Sequence, residues 1–340
     1  MIRLSSVDIS EKAIESVVSL LRRGAIGQSE IIDEFERAFA KWLGVKYCVA
    51  VSSGTMADTI ALAVLKHHFS NKKKVVVPAH TFIAQVNSIT YNGLEPVFID
   101  GPNGCVGVDG KDVLCFFPVH LLGKPWRHDL CGVVPVIEDS CEAMGSMVDG
   151  IKCGSKCDMG TFSFFPSHTI TTGEGGMIST NNEEYASLAK RLRNHGKVNS
   201  YDFEFDVIGF NAKLTSIQAA IGLEALRGID TVIQKRRGAF FALGGEEDAD
   251  EFISPHAFPV ICKSKEERDL VLKRLRENGI ECRNLFSSIP TQEKAYSHLG
   301  YKLGDFPFAE EIGRNGLYVP CHSGLSGEDI NKIKSIIHEA

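Results

Sequence analysis

The sequence has no apolar run near the roughly 20 residues that a bilayer-spanning helix requires. Its opening residues, MIRLSSVDISEKAIESVV, show no basic-then-apolar leader pattern. These two absences predict a cytoplasmic chain with no membrane partner. Excess positive charge is missing as well: the net charge is -6, and the short run Lys72 to Lys74 reads as a solvated lead-in to a strand, so nucleic acid is not an expected partner. There is no internal repeat and no low-complexity tract. Metal-ligand spacing is lacking too. Cys153 and Cys157 do not have the two-residue spacing of a zinc knuckle, and Cys131 and Cys141 lie further apart still, so no metal is assigned. Ten cysteines are present, many of them inside apolar runs such as YCVAVSS (Cys48), LCFFPV (Cys115) and PVICKS (Cys262), where buried reduced thiols are the expected state.

What is present describes an ordinary globular chain, with 44% hydrophobic and 24% charged residues. Its 340 residues exceed what one core usually serves, and a large domain over 1–245 followed by a smaller one over 246–340 is expected. Helix and strand patterns alternate. Ser10 is a candidate N-cap for a helix carrying Ala13, Ile14, Val17, Val18 and Leu21, with Gly24 closing it; a second helix carries Phe35, Phe39 and Trp42 towards Gly44. The runs KVVVPA, EPVFID, VLCFFPVH and VVPVIEDS are β-branched and nearly continuous in apolar residues, as parallel strands covered on both faces should be. A long helix from Leu214 should break near Gly228. Further on, Ser264 with Glu267 predicts a capping box for a helix through Arg276.

Four constellations could carry chemistry. In SSGT, Ser52 to Thr55, a small turn presents backbone N–H groups at a helix start, which suits a phosphate or a plain strand-helix connection. In VIEDSCEAMG, Asp139 ends an apolar strand, where open α/β sheets place their ligands, though a helix cap would look the same. In FSFFPSHTITTGEGG, Ser163 and His168 precede a glycine-rich turn. In GFNAKLTSIQAAIG, Asn211 and Lys213 stand before the long helix.

Taken in order, these segments and others ("FERAFAKWLGVKYCVAVSSGTMADTIAL", "VVVPAHTFIAQVNSITYNGLEPVFID", "FFPVHLLGKP", "LRNHG") resemble the pyridoxal-phosphate sugar aminotransferases of the DegT/DnrJ/EryC1/StrS family over nearly the whole chain. The resemblance implies an α/β fold of fold-type I, with a mostly parallel mixed sheet between helices, a smaller C-terminal α+β domain, and a homodimer with shared active sites. It implies that Thr55, the backbone at Met56, and Ser163 hold the cofactor phosphate, that Gly54 also belongs to the cofactor-binding set, and that Phe82 stacks on the pyridine ring. Asp139 would face the ring nitrogen and Glu142 the ring hydroxyl. Asn211 would reach the neighbouring subunit's cofactor, with Lys213 near that same site.

One position departs from the family pattern: His168 stands where the lysine belongs. Lysine would bind the cofactor aldehyde covalently and then shuttle protons; imidazole can only shuttle protons, and its ordinary pKa near 6.5 suits that task. Pyridoxal 5'-phosphate or pyridoxamine 5'-phosphate should therefore be held non-covalently. Within the family this change resembles the nucleotide-sugar 3-dehydratases, which implies loss of the C3 hydroxyl of a nucleotide-linked 4-keto-6-deoxy hexose in deoxysugar biosynthesis for O-antigen, lipopolysaccharide or another polysaccharide. Catalysis would rest on His168 and Asp139. The chain contains no Cys-x-Cys pair, which favours the glutamate-dependent type, represented by GDP-4-keto-6-deoxymannose 3-dehydratase, over the type that carries an iron-sulfur cluster. Two alternatives stand beside this reading: an aminotransferase using Lys152 or Lys156, and a non-catalytic sugar-binding or regulatory relative. Substrate-selecting contacts are expected in the loops 121–127 and 284–296.

Overall fold

Apolar strands covered on both faces dominate the larger part of the molecule. A computed structural model describes residues 1–101, 110–127, 133–199, 203–285 and 289–338; Cys131 and residues 286–288 of the expected specificity loop lie outside them. Lys74–Pro78 pairs in parallel with Glu95–Ile99 on one side and Val113–Phe116 on the other. Parallel bridges from Phe116 to Val136 and from Val119 to Asp139 carry the ladder on to Ile137–Asp139, which pairs in parallel with Met159–Ser163. Gly176–Thr180 then runs antiparallel between Met159–Ser163 and Tyr47–Val51. The result is a mixed, mostly parallel sheet. Val49, Val75, Val77, Leu114, Ile137 and Phe162 along it are fully buried, which explains why these strands read as unbroken apolar runs rather than alternating ones.

Helices cover the sheet where local signals predict them. Ser10 caps Glu11–Arg22 through its hydroxyl, which accepts from the Ala13 N–H. Glu30–Leu43 ends on Gly44 at φ 90°, a left-handed conformation that favours glycine. This second helix sets Phe39 against Phe162 and Phe164, with ring centroids 5.1 and 5.8 Å apart. The aromatic cluster anchors the strand end that leads into the His168 turn. The long helix divides as expected into Ser216–Arg227 and Ile229–Ala242 at Gly228.

Beyond it, Phe258–Ile261 and Arg283–Asn284 flank Gly316–Val319 in an antiparallel sheet. Val271, Leu275, Leu317, Val319 and Ile333 form an apolar cluster behind that sheet. The capping box at Ser264 forms in only one direction: its hydroxyl accepts from the Glu267 N–H, while the Glu267 carboxylate takes the N–H of Lys263. A hairpin at Met147–Val148 and Ile151–Lys152, extended by Glu251–Phe252, has no counterpart in the sequence reading. Cysteine chemistry also differs from the all-thiol expectation. Cys48, Cys115, Cys141, Cys153, Cys262, Cys282 and Cys321 are free, but Cys157 is disulfide-bonded. Among the described residues no helix is long and apolar enough to cross a membrane.

Candidate active site

The carboxyl ends of the parallel strands open onto one cavity, the place where open α/β sheets bind ligands. Asp139 closes its strand and Ser163 the next, while the helix Gly54–His68 starts directly after Tyr47–Val51. The cavity has a volume of about 320 Å³. It gathers Gly54, Thr55, Phe82, Asp139, Glu142, Ser163 and His168 from the expected set. Met56, Asn211 and Lys213 are not in its lining. The Met56 N–H donates to the Ser53 hydroxyl at 3.1 Å as a helix cap, so that backbone donor already has an acceptor. The Lys213 amine donates to Asn211 Oδ1 at 2.8 Å and to Asn194 Oδ1 at 3.0 Å.

One end of the cavity suits an anion. The first N–H groups of a helix have no intrahelical acceptor and carry the positive end of its dipole. Here they lie against Ser163: a Cβ added at Gly54 would stand 2.7 Å from the Ser163 Cβ. Only glycine lets the helix start approach this closely. Gly54→Ala should therefore push Ser163 out of line and weaken phosphate-dependent cofactor binding by about tenfold or more, the worth of one charge-assisted hydrogen bond. A fluorescence titration with pyridoxamine phosphate measures this, and unchanged affinity would remove Gly54 from the cradle.

The other end is a floor of carboxyl groups. Asp139 is buried and its Oδ1 accepts the Cys141 N–H at 3.1 Å. Beside it stands Asp58, which sequence reasoning missed; it is buried, and its Oδ1 has no hydrogen-bond partner. Asp58, Asp139 and Cys141 each bring one atom to within 4.8 Å of the others. Burial pushes both carboxyls and the thiol towards their protonated forms, and mutual charge pushes Asp58 and Cys141 further. Such a set is a poor cage for a metal cation, whose ligands must be deprotonated. It fits instead a group that brings its own N–H⁺ to a buried carboxylate. Asp58 did leave a signal, as a lone acid inside the otherwise apolar stretch ADTIALAVL.

Glu142 is pushed up to about 7 from its ordinary 4.5, by burial first and then the Asp139 charge, although its carboxylate accepts the Leu122 N–H at 2.8 Å. The sign follows from proton linkage: a carboxyl with a raised folded-state pKa contributes its stability below about 4.5 and loses it as pH rises through about 7. Glu142→Gln keeps the acceptor and removes the titration. It should leave stability unchanged in acid and raise it above neutrality by about 1 kcal/mol, the cavity's openness screening the rest. Urea unfolding at an acid and an alkaline pH checks this; an equal effect at both would show that Glu142 ionises freely.

His168 sits in the turn after Ser163, where its own N–H closes onto the Phe165 carbonyl at 3.0 Å. Its expected ordinary pKa near 6.5 does not hold: burial, with the Arg236 guanidinium, pushes it down to about 3. The ring is therefore neutral at physiological pH, able to accept a proton but weakly basic in the free chain. His256, which sequence reasoning also missed, lines the same cavity. No lysine lines it. The Lys152 amine donates to the Trp42 carbonyl and lies 4.8 Å from the Trp42 ring centre. In sum, the cavity can cradle a phosphate, hold a proton on a ring nitrogen against Asp139, present the exposed face of Phe82 to a flat ring, and offer imidazole as a base.

Comparison with known proteins fits that chemistry. Residues 7–338 match the model of the DegT/DnrJ/EryC1/StrS aminotransferase family. GDP-perosamine synthase of Caulobacter vibrioides is 35% identical over 334 residues, covering 89% of this chain and 88% of that protein. GDP-4-keto-6-deoxy-D-mannose 3-dehydratase of Yersinia pseudotuberculosis is 26% identical, with 98% and 97% covered. Among solved structures, a His-to-Asn variant of GDP-4-keto-6-deoxymannose-3-dehydratase with bound GDP-perosamine matches with a TM-score of 0.90 at 25% identity, covering 99% of this chain and all of that one.

Proposed function

Because the chain belongs to the DegT/DnrJ/EryC1/StrS aminotransferase family, we propose that this cavity holds pyridoxamine or pyridoxal phosphate without a covalent link and removes the C3 hydroxyl of a nucleotide-linked 4-keto-6-deoxy hexose. The coarser statement, a pyridoxal-phosphate-dependent enzyme acting on nucleotide sugars, rests on the family and on relatives named for such substrates. The finer one is supported by a single observation: the wall that should carry a lysine carries His168 instead, and among the described residues no lysine lines the cavity.

When bound, the cofactor supplies a reactive amine and a protonated ring that accepts electrons. The protein's part is binding, orientation and proton control. The N–H groups at Gly54 and Thr55, with the Ser163 hydroxyl, would hold the phosphate, and Phe82 would lie on the ring. Asp139 would keep the ring nitrogen protonated, and Glu142 would face the ring hydroxyl. His168, neutral before reaction, would take the proton whose removal drives out the C3 hydroxyl. The family resemblance further assigns Asn211 and Lys213, which lie outside this cavity, to the site of a second copy in a homodimer. On this reading glutamate restores the amine, and the division between a cofactor domain and a smaller domain falls at 245/246.

A second reading, amino transfer to the sugar, is favoured by one observation, the 35% identity to a GDP-perosamine synthase. Reduction with borohydride separates the two before any substrate is known. A site built on His168 leaves no lysine adduct with pyridoxal phosphate, and a lysine adduct found by peptide mass would return the protein to the aminotransferases.

A further inference from the structure

We propose that Arg236 is a positioning residue for His168, its guanidinium acting as a clamp that holds the turn carrying the imidazole against the wall of the cofactor cavity. The inference rests on the reading of His168 as the base, but its last test needs no sugar to react. His168 belongs to a turn between Met159–Ser163 and Gly176–Thr180 that lies in no helix or strand, so no ladder of its own fixes where the ring stands. Arg236 provides that constraint from the helix Ile229–Ala242. Its Nη2 donates to the carbonyls of Ser167 at 3.3 Å and His168 at 3.0 Å, and its Nη1 donates to those of Pro255 at 3.1 Å and His256 at 3.0 Å.

Pro255 and His256 are a firm anchor because they are themselves tied to the cavity. The His256 N–H donates to the Leu122 carbonyl at 3.2 Å, and the Leu122 N–H donates to the Glu142 carboxylate at 2.8 Å. Just before them, the Ser254 N–H donates to the Ser146 hydroxyl at 2.9 Å, and that hydroxyl donates to the Gly123 carbonyl at 2.7 Å. A set of hydrogen bonds thus runs from the Glu142 side of the cavity to the base, and Arg236 supplies the link between its two irregular segments. Arg236 does not line the cofactor cavity; it lines an adjoining cavity of about 620 Å³ whose wall also includes His168. It acts from behind the base. The residue is buried, has no carboxylate partner among the described residues, and leaves its Nε without a hydrogen bond. An unpaired cation in the interior is unfavourable, and an apolar side chain of similar length would avoid that cost while making none of the four bonds. Lysine would keep the charge but gather its donors on one flexible atom, which cannot serve two pairs of carbonyls in different segments as a planar fork does.

The test uses the full chain loaded with pyridoxamine phosphate. Arg236→Lys should lower kcat by about 10 to 10²-fold, the effect of moving a reacting group by about an ångström. KM for the sugar and the affinity for pyridoxamine phosphate should stay within about twofold, since Gly54, Phe82, Asp139 and Ser163 stand on other elements. Arg236→Ala opens the place of the guanidinium to the adjoining cavity; added ethylguanidinium should restore part of kcat, whereas ethylammonium, of the same charge, should not. Arg236→Lys carries the test if the alanine variant does not fold. The remaining measurement is free of sugar chemistry. In His168→Lys, borohydride fixes pyridoxal phosphate at position 168 at a rate set by where that amine stands, and adding Arg236→Lys should slow the capture by about tenfold. Capture as fast as in His168→Lys alone, an equal loss of kcat and cofactor affinity in Arg236→Lys, or equal rescue of Arg236→Ala by both cations overturns the proposal. Slowed capture together with a parent that turns over no sugar would support the clamp and count against the dehydratase reading alone.

Discussion

His168→Asn is expected to slow loss of the sugar C3 hydroxyl by about 10² to 10⁴-fold, the usual worth of a positioned base, while pyridoxamine phosphate stays bound. Retention follows because the phosphate cradle at Gly54 and Ser163, the Asp139 floor and Phe82 are separate from the imidazole and line other parts of the cavity wall. The two properties should therefore come apart: titration of pyridoxamine phosphate by fluorescence close to the parent, turnover nearly gone. His168→Lys adds a contrasting result. It restores an amine at the same place, so borohydride should now fix pyridoxal phosphate to the chain. An asparagine variant that dehydrates within a few fold of the parent would remove His168 from the chemistry.

Asp139→Asn should have the next largest effect, a loss of turnover of about 10² to 10³-fold, comparable to removing a preorganised electrostatic contact at a reacting centre. An amide cannot hold a proton on the ring nitrogen, and without that charge the ring accepts electrons poorly. Cofactor binding should weaken too, because the buried floor loses the carboxylate that a cationic ring would neutralise. Asp58 sharpens the expectation: it lies in the same cluster, within 4.8 Å, with an unpartnered oxygen, and can take up part of the role. Asp139→Asn combined with Asp58→Asn should accordingly lose more than Asp139→Asn alone. Kinetics and cofactor absorption on the three variants measure this, and normal turnover in Asp139→Asn would take that residue out of the site.

How far the sequence revealed all this depended on whether the controlling physics was local. Ser10, Gly44 and Gly228 marked helix ends because capping and left-handed backbone involve only neighbouring residues. The parallel strands showed as unbroken apolar runs because burial on both faces requires apolar residues at consecutive positions. Asp139, Ser163 and His168 were readable because each falls at or just after a strand end, within a recognisable segment. His256 and Arg236 were not, since their meaning arises only where the segments carrying Ser167 and Pro255 meet. The low basicity of His168 was hidden likewise: burial and an arginine brought in from a distant helix set it, not the residue's type. The one-sided cap at Ser264 failed for a smaller reason, as Glu267 found the N–H of Lys263 first.

The central claim is that a histidine site in an aminotransferase fold eliminates a hydroxyl instead of delivering an amine. It is tested most directly by incubating the protein with pyridoxal phosphate, glutamate and a panel of nucleotide-linked 4-keto-6-deoxy hexoses, and weighing the sugar products. The account predicts a product that has lost one oxygen atom and gained no nitrogen, with 2-oxoglutarate and ammonia formed alongside it. A product in which the carbonyl oxygen has been replaced by an amino group would contradict it.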